Sequence, residues 1–393
     1  MIKQLSDSVR YIGCDDLDLD LFEGQYDLPE GMAYNSYLIL DDKVAVMDAV
    51  DASKCDEWLC KLEDALEGRL PDYIVVHHAE PDHSGSLINA LERYPAAKLV
   101  LTAQGLKMIR QFFGDADFEG RAMIVSNGDS LDLGSHKLTF FTAPMVHWPE
   151  VMVSYDEYDR TLYSADAFGK FGALGKCGFY GTEDGDWACE ARRYYFNIVG
   201  KYGAQVQALL AKLEPCIIER ICPLHGPILT ENLGYYTGLY DTWSSYGAET
   251  SGVAIAYTSV YGHTKAAVEM LAAELEKRGC KVAVSDLARC DMAEAVEDAF
   301  RYDRIVFATT TYNGGIFPFM HTFLDHLAGL GFRNKTVAFI ENGSWAPVAT
   351  RGMKALLEKC ENLSYTENGV RILSALDKAG EAQIEALAEE LMK

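Results

Sequence analysis

From residue 250 onward, short apolar runs alternate with segments that follow a helical period. The runs are VAIAYT (253–258), KVAVS (281–285), RIVFATT (304–310), TVAFIE (336–341) and VRILS (370–374). Strands that stay apolar without alternating are buried on both faces. With helices between them, they imply a parallel, doubly wound sheet. The first part of the chain is less regular. β-rich runs stand at 36–40 (SYLIL), 43–50 (KVAVMDAV), 137–144 (KLTFFTAP) and 160–167 (RTLYSADA), with helical patterns at Asp56–Leu66 and Tyr194–Leu213. Between the two parts, Tyr240–Gly252 is rich in Ser, Thr and Gly and reads as a linker. The pattern therefore predicts two α/β domains, 1–249 and 250–393.

Length and composition agree with that division. A chain of 393 residues, 49% hydrophobic and 24% charged, has the apolar content for two full cores. No apolar run approaches the ~20 residues of a membrane span, and MIKQLSDSVRYIG lacks the apolar core of a signal peptide, so a cytoplasmic setting is expected. A formal charge of −24 argues against nucleic acid and anionic membranes as partners. The ten cysteines contain no C-x-x-C pair, which excludes rubredoxin-type, iron–sulfur and zinc-ribbon sites. They read as reduced thiols, mostly buried.

Candidate chemistry is concentrated in one segment. Tyr73 to Gly85 reads YIVVHHAEPDHSG, a β-branched run that ends in His77, His78, Glu80, Asp82 and His83 before a helix from Leu87. A buried strand that delivers imidazoles and carboxylates to its end is a rigid base for a metal site. His78-x-Glu80-x-Asp82-His83 resembles the metallo-β-lactamase superfamily signature H-x-H-x-D-H, with Glu80 in place of the second His. Three more candidate ligands stand where a strand gives way to a loop: His147 before Trp148-Pro149, Asp166 before Phe168-Gly169, and His225 before Gly226-Pro227. His77 reads as a neighbour pointing to the opposite face of its strand.

In the second domain, Thr258-Ser259-Val260-Tyr261-Gly262-His263-Thr264 follows the first strand and opens a helix. Hydroxyls and backbone N–H groups at a helix start hold a phosphate without a lysine. The loop resembles the FMN-phosphate loop of flavodoxins, S/T-x-S/T-G-x-T, with Tyr261 in a hydroxyl position and His263 where Asn is usual. Two later loops, Thr310-Thr311-Tyr312-Asn313-Gly314-Gly315 and Asn342-Gly343-Ser344-Trp345, follow the third and fourth strands. Ligands of such sheets bind outside the C-terminal ends of the strands, so these loops are placed to hold an isoalloxazine ring, with Tyr312 and Trp345 as stacking candidates.

Together these motifs resemble the flavodiiron proteins (A-type flavoproteins) over essentially the whole chain. The resemblance implies an αβ/βα metallo-β-lactamase-like sandwich followed by a flavodoxin-like domain. It implies one metal held by His78, Glu80 and His147, a second held by Asp82, His83 and His225, and Asp166 bridging both. His83 is displaced by water in some relatives. An anionic oxygen donor at Glu80 favours iron or manganese over zinc and moves the site from hydrolysis to redox work.

The activity implied is reduction of dioxygen to water, of nitric oxide to nitrous oxide, or both. A reduced FMN and a di-ferrous pair together hold the electrons either reaction needs. The resemblance also implies a head-to-tail homodimer, alone or as a dimer of dimers, and an external electron donor, a rubredoxin or a reduced deazaflavin. Two other readings stay open at this point: a zinc-dependent hydrolase with an accessory flavodoxin-like domain, and a non-catalytic electron-carrier or sensor module with a vestigial metal site. The chain departs from the family at Phe171, which stands where many relatives carry a proton-donating His. The Tyr194-Tyr195 pair is then the nearest alternative donor, with Tyr195 expected in that role.

Overall fold

The computed structural model describes residues 2–114, 116, 118 and 120–393. Chain contacts divide into two compact units. The first comprises the residues up to Tyr195 with Ala204–Asp241, and the second comprises Phe196–Gly203 with Thr242–Lys393.

Among the described residues, the first unit is built on two sheets. A seven-stranded sheet runs in the order Lys3–Gln4, Val9–Tyr11, Tyr37–Leu40, Val44–Met47, Tyr73–Val75, Lys98–Leu101 and Ala122–Ile124, antiparallel at first and parallel from Val44 onward. A five-stranded sheet runs Ser130–Asp132, Lys137–Thr142, Met152–Asp156, Thr161–Tyr163 and Arg220–Cys222. Val9, Ile39, Met47, Val75 and Val100 of the first sheet share one core with Leu131, Leu138, Phe140, Met152 and Tyr163 of the second. Alternate residues of each strand face this core, so the two sheets stack as a sandwich. The helix Cys55–Ala65 buries Trp58, Leu62 and Ala65.

Strand direction decides where the loops emerge. Lys137–Thr142 and Thr161–Tyr163 are both antiparallel to Met152–Asp156, and Arg220–Cys222 is parallel to Thr161–Tyr163. These three strands therefore all end at the same edge of their sheet, each followed by a loop carrying one candidate ligand.

The second unit is an open sheet in the order Val282–Asp286, Thr250–Tyr257, Tyr302–Tyr312 and Thr336–Asn342, with Ser364–Tyr365 and Val370–Ile372 on the last strand's far side. The main ladder is parallel throughout. In chain order this is the 2-1-3-4-5 flavodoxin-like arrangement, whose crevice opens beyond the first and third strands. Helices His263–Lys277 and Lys378–Leu391 pack Leu271, Leu275, Ile384 and Leu387 onto the core of Val253, Ile255, Val306 and Ile340.

Two expectations from the pattern need correction. The stretch expected as a linker at Tyr240–Gly252 is helical up to Ser244, within Leu233–Ser244, and extended from Thr250. Burial of Tyr240 and Trp243 overrides the turn-like composition. The helix expected over Tyr194–Leu213 is instead broken. A π-helical turn at Tyr195–Val199 and a 3-10 turn at Gly200–Tyr202 separate Trp187–Tyr194 from Gly203–Leu213, where Gly200 and Gly203 weaken the helix. No described helix is long and apolar enough to cross a membrane.

Candidate metal centre and a cleft in the second unit

The seven ligand candidates converge in the first unit. His78 and Glu80 lie in the loop after Tyr73–Val75, and Asp82 and His83 in the single turn Pro81–Ser84 that follows. His147, Asp166 and His225 come from the three co-directional strand ends. They form two groups, His78, Glu80, His147 and Asp166, and Asp82, His83 and His225, in each of which the donor atoms lie within 4.8 Å of one another.

Asp166 faces both groups, one oxygen to each. Its Oδ2 lies 2.9 Å from His147 Nε2 and 3.4 Å from His78 Nε2. Its Oδ1 lies 3.1 Å from His83 Nε2 and 3.8 Å from His225 Nε2. Glu80 Oε2 closes the first group at 3.0 Å from His78 Nε2 and 3.2 Å from His147 Nε2. Asp82 Oδ2 closes the second at 3.2 Å from His225 and 3.3 Å from His83.

Burial makes this arrangement costly without cations. Both oxygens of Asp82, both ring nitrogens of His83, Asp166 Oδ1 and His225 Nε2 are buried with no hydrogen-bond partner among the described residues. Each unsatisfied buried polar atom costs about 1–3 kcal/mol, and more where the group is charged. A cation among Asp82, His83 and His225 would satisfy His83 Nε2, His225 Nε2 and an Asp82 oxygen at once, with Asp166 Oδ1 beside it. Burial alone would raise the Asp166 carboxyl, but the His83 and His78 imidazoles hold it well below the usual carboxylate range. Glu80 is likewise opposed by burial, yet His147 and His78 bring it down to about 2. Burial lowers His147, and Asp166 with Glu80 lifts it to about 9. The carboxylates that hold protons on these imidazoles would equally hold cations between them.

The ligand imidazoles are supported unequally. His225 Nδ1 lies 2.8 Å from the Ala33 carbonyl, and donation to that carbonyl leaves Nε2 as the free lone pair. His78 Nδ1 lies 2.7 Å from Glu150, which sequence reasoning missed. His77 is outside both groups. It is buried with Nδ1 2.5 Å from Asp48 Oδ2 and Nε2 2.8 Å from Ser154 Oγ, tying the two sheets together beside the ligands.

Of the tyrosine pair, Tyr194 meets the ligands. Its ring lies 5.6 Å from His225, and its buried hydroxyl has no hydrogen-bond partner among the described residues. Burial first, then the charges of Asp166, Asp82 and Glu80, raise this phenol well above its ordinary value. The ring of Tyr195, the residue expected in that role, turns edge-on to Tyr240 at 5.1 Å. Consecutive helical residues point about 100° apart, so only one of the pair faces the ligands squarely. Phe171 is buried edge-on to Tyr194 at 5.1 Å, with the Arg193 guanidinium 4.8 Å from its centroid. Phe22 completes the apolar wall, 5.7 Å from Phe171 and 5.5 Å from His225.

In the second unit, the three loops named from sequence line one cleft of about 670 Å³. Ser259, Val260, Tyr261, His263 and Thr264 contribute from the first loop, Thr310, Thr311, Tyr312, Asn313 and Gly314 from the second, and Asn342, Gly343, Ser344 and Trp345 from the third. Ala346, Val348 and Ser374 line it too, unanticipated. Three expected residues do not line it. Thr258 is buried against Thr309, 2.6 Å between hydroxyl oxygens, Gly262 caps the helix His263–Lys277 at φ +88°, and Gly315 belongs to the strand Gly315–Ile316. Ser259 Oγ accepts from the N–H groups of Gly262 and Lys265 at 3.1 and 3.3 Å, which folds the loop back over the helix start. Tyr261 and Trp345 stand 89% and 83% exposed at the rim.

Comparison with known proteins follows the same division. Residues 32–226 match the model of the ODP family beta lactamase and residues 254–360 that of a flavodoxin domain. The nitric oxide reductase of Moorella thermoacetica is 29% identical over 84% of this chain and 83% of its own. The rubredoxin oxygen:oxidoreductase of Desulfovibrio gigas superposes with a TM-score of 0.92 at 25% identity, covering 100% of this chain and 98% of the other. The flavodiiron protein of Giardia intestinalis shares the fold, with a TM-score of 0.91 at 23% identity over 100% and 97% of the two chains.

Proposed function

The chain belongs to the flavodiiron proteins, and we propose that it reduces dioxygen to water, nitric oxide to nitrous oxide, or both, with FMN and two non-haem irons as its cofactors. Metal chemistry is assigned to residues 1–249 and flavin binding to 250–393. His78, Glu80 and His147 would hold one iron, Asp82, His83 and His225 the other, with Asp166 between them. The observation that carries this reading is the split of Asp166, one oxygen toward each group of donors. Bound there, iron supplies the electrons and open coordination positions that the reaction uses.

The protein's own residues would do the rest. Phe22 and Phe171 exclude water from the side of His225. The Tyr194 hydroxyl, kept protonated by burial and by neighbouring carboxylates, donates rather than accepts there. Glu80 argues against a zinc hydrolase, since its carboxylate replaces the imidazole such a site would use. Electrons come from an external donor, a rubredoxin or a reduced deazaflavin, and cross to the metals within a head-to-tail homodimer, alone or in pairs. The setting is cytoplasmic.

An absorption spectrum of the purified protein with an iron assay tests the reading. Flavin bands, about two irons per chain and turnover of either gas with a reduced donor are expected. Zinc without flavin, or flavin without metal, would overturn it.

A further inference from the structure

The loop that delivers His147 sends a carboxylate back behind His78. Glu150 is 3% exposed, and its Oε1 lies 2.7 Å from His78 Nδ1 and accepts from the Ala79 N–H at 2.9 Å. Its own backbone is fixed as well. The Glu150 carbonyl accepts from Thr102 Oγ1 at 3.0 Å, and the same Thr102 oxygen caps the helix Ala103–Phe112 by accepting from Gly105 N–H. Glu150 Oε2 is buried and has no partner among the described residues.

The side chain therefore reads both the backbone and the imidazole of the loop that carries the first ligands. With Nδ1–H donated to Glu150, the lone pair of His78 must sit on Nε2, the atom that faces Glu80 Oε2 and Asp166 Oδ2. His225 has a neutral carbonyl in the same place, and His83 Nδ1 is buried with no hydrogen-bond partner among the described residues. A carboxylate behind an imidazole raises its basicity more than a carbonyl does, because the negative charge favours electron release toward the metal. The three supports differ in kind, so the two metal positions differ in strength.

We propose that Glu150 is a positioning residue for the first metal position alone: it fixes the tautomer and aim of His78 and sets the affinity at His78, Glu80 and His147, leaving the position at Asp82, His83 and His225 to stand without it. This rests on the reading of the two groups as metal ligands.

The test strips the full-length chain with a chelator and titrates it with Co(II), followed by visible d–d bands and by counting bound metal in equilibrium dialysis. The wild-type chain should take two ions. Glu150→Ala should weaken one position roughly 10–100-fold and leave the other unchanged. Glu150→Gln keeps an acceptor oxygen for Nδ1–H and Ala79 N–H but not the charge, so its affinity at that position should fall between the two. That graded, one-sided loss is something a merely structural role would not give. If Glu150→Ala does not fold, the Gln variant carries the test on the same scale. Wild-type affinity at both positions in the variants, or equal weakening of both, would overturn the proposal. A wild-type chain that fails to bind two ions would instead overturn the metal-centre reading beneath it, and the role of Glu150 with it.

Discussion

The Tyr194 and His225 rings lie 5.6 Å apart, and the tyrosine hydroxyl is buried without a hydrogen-bond partner among the described residues. Such a group is expensive to keep unless it acts on something that binds there. Tyr194→Phe should slow turnover roughly 100-fold, with iron content unchanged. Tyr195→Phe, the control, should lower the melting temperature more than the rate. Steady-state rates with dioxygen and with nitric oxide measure both. A wild-type rate in Tyr194→Phe with both gases would leave water as the proton source.

Glu80→His should convert the metal preference. An imidazole at this position removes one negative charge facing His78 and His147 and offers a softer donor. The variant is expected to bind zinc in place of iron and to lose reductase activity, with flavin content intact. Metal analysis after growth with both metals reads the outcome. Full iron loading with full turnover would show that the carboxylate is not what selects the metal.

Ser259 and Thr264 should control flavin binding without touching the metals. Ser259 Oγ holds the loop to the helix start, and Thr264 Oγ1 lies 3.2 Å from Thr310 Oγ1, linking the first loop to the second. The double variant Ser259→Ala with Thr264→Ala removes both links and is expected to weaken FMN binding about tenfold or more, on the scale of two to three lost hydrogen bonds. Iron content should remain at the wild-type level. A matching loss of iron would contradict the separation of the two sites.

A pH dependence of stability should come from His136, which lies outside both ligand groups. Burial lowers this imidazole, but the Asp156 carboxylate 2.6 Å from Nδ1, with Asp159 and Asp41 adding to it, lifts it above the ordinary value. The folded-state value exceeds the unfolded one, about 6.5. The contribution is therefore complete below that pH and is lost as pH rises through the raised value. The melting-temperature gap between wild type and His136→Gln should be largest near pH 6 and should narrow toward pH 9. A gap that stays constant across that range would show that the ion pair is not charged in the fold.

Much of the site could be read from the chain because ligands at strand ends leave a mark: an apolar run that stops in His, Glu and Asp. The His78 to His83 spacing, and the His147, Asp166 and His225 contexts, all carry it. Glu150 carries no such mark. It is one acidic residue in a loop, and only the return of that loop onto His78 gives it meaning. Tyr194 and Tyr195 are adjacent and chemically identical, so the choice between them depends on helix phase near a π-helical turn. The regular strands from residue 250 onward were legible because a parallel sheet needs continuous apolar runs. The short strands before Tyr37, two or three residues each, are too brief to show a period.

The rim of the cleft has an optical consequence. Of the five tryptophans, Trp58, Trp187 and Trp243 are buried and Trp148 is half-buried, whereas Trp345 is open to solvent beside the flavin loops. An indole in water emits to the red of a buried one and is reached first by iodide or acrylamide. Trp345 is thus a native fluorophore at the mouth of the cleft, and a flavin entering beside it would quench the red edge of the emission. Flavin loading of the unlabelled chain can be followed by that quenching, and Trp345→Phe should remove most of the signal while leaving the emission of the buried indoles in place.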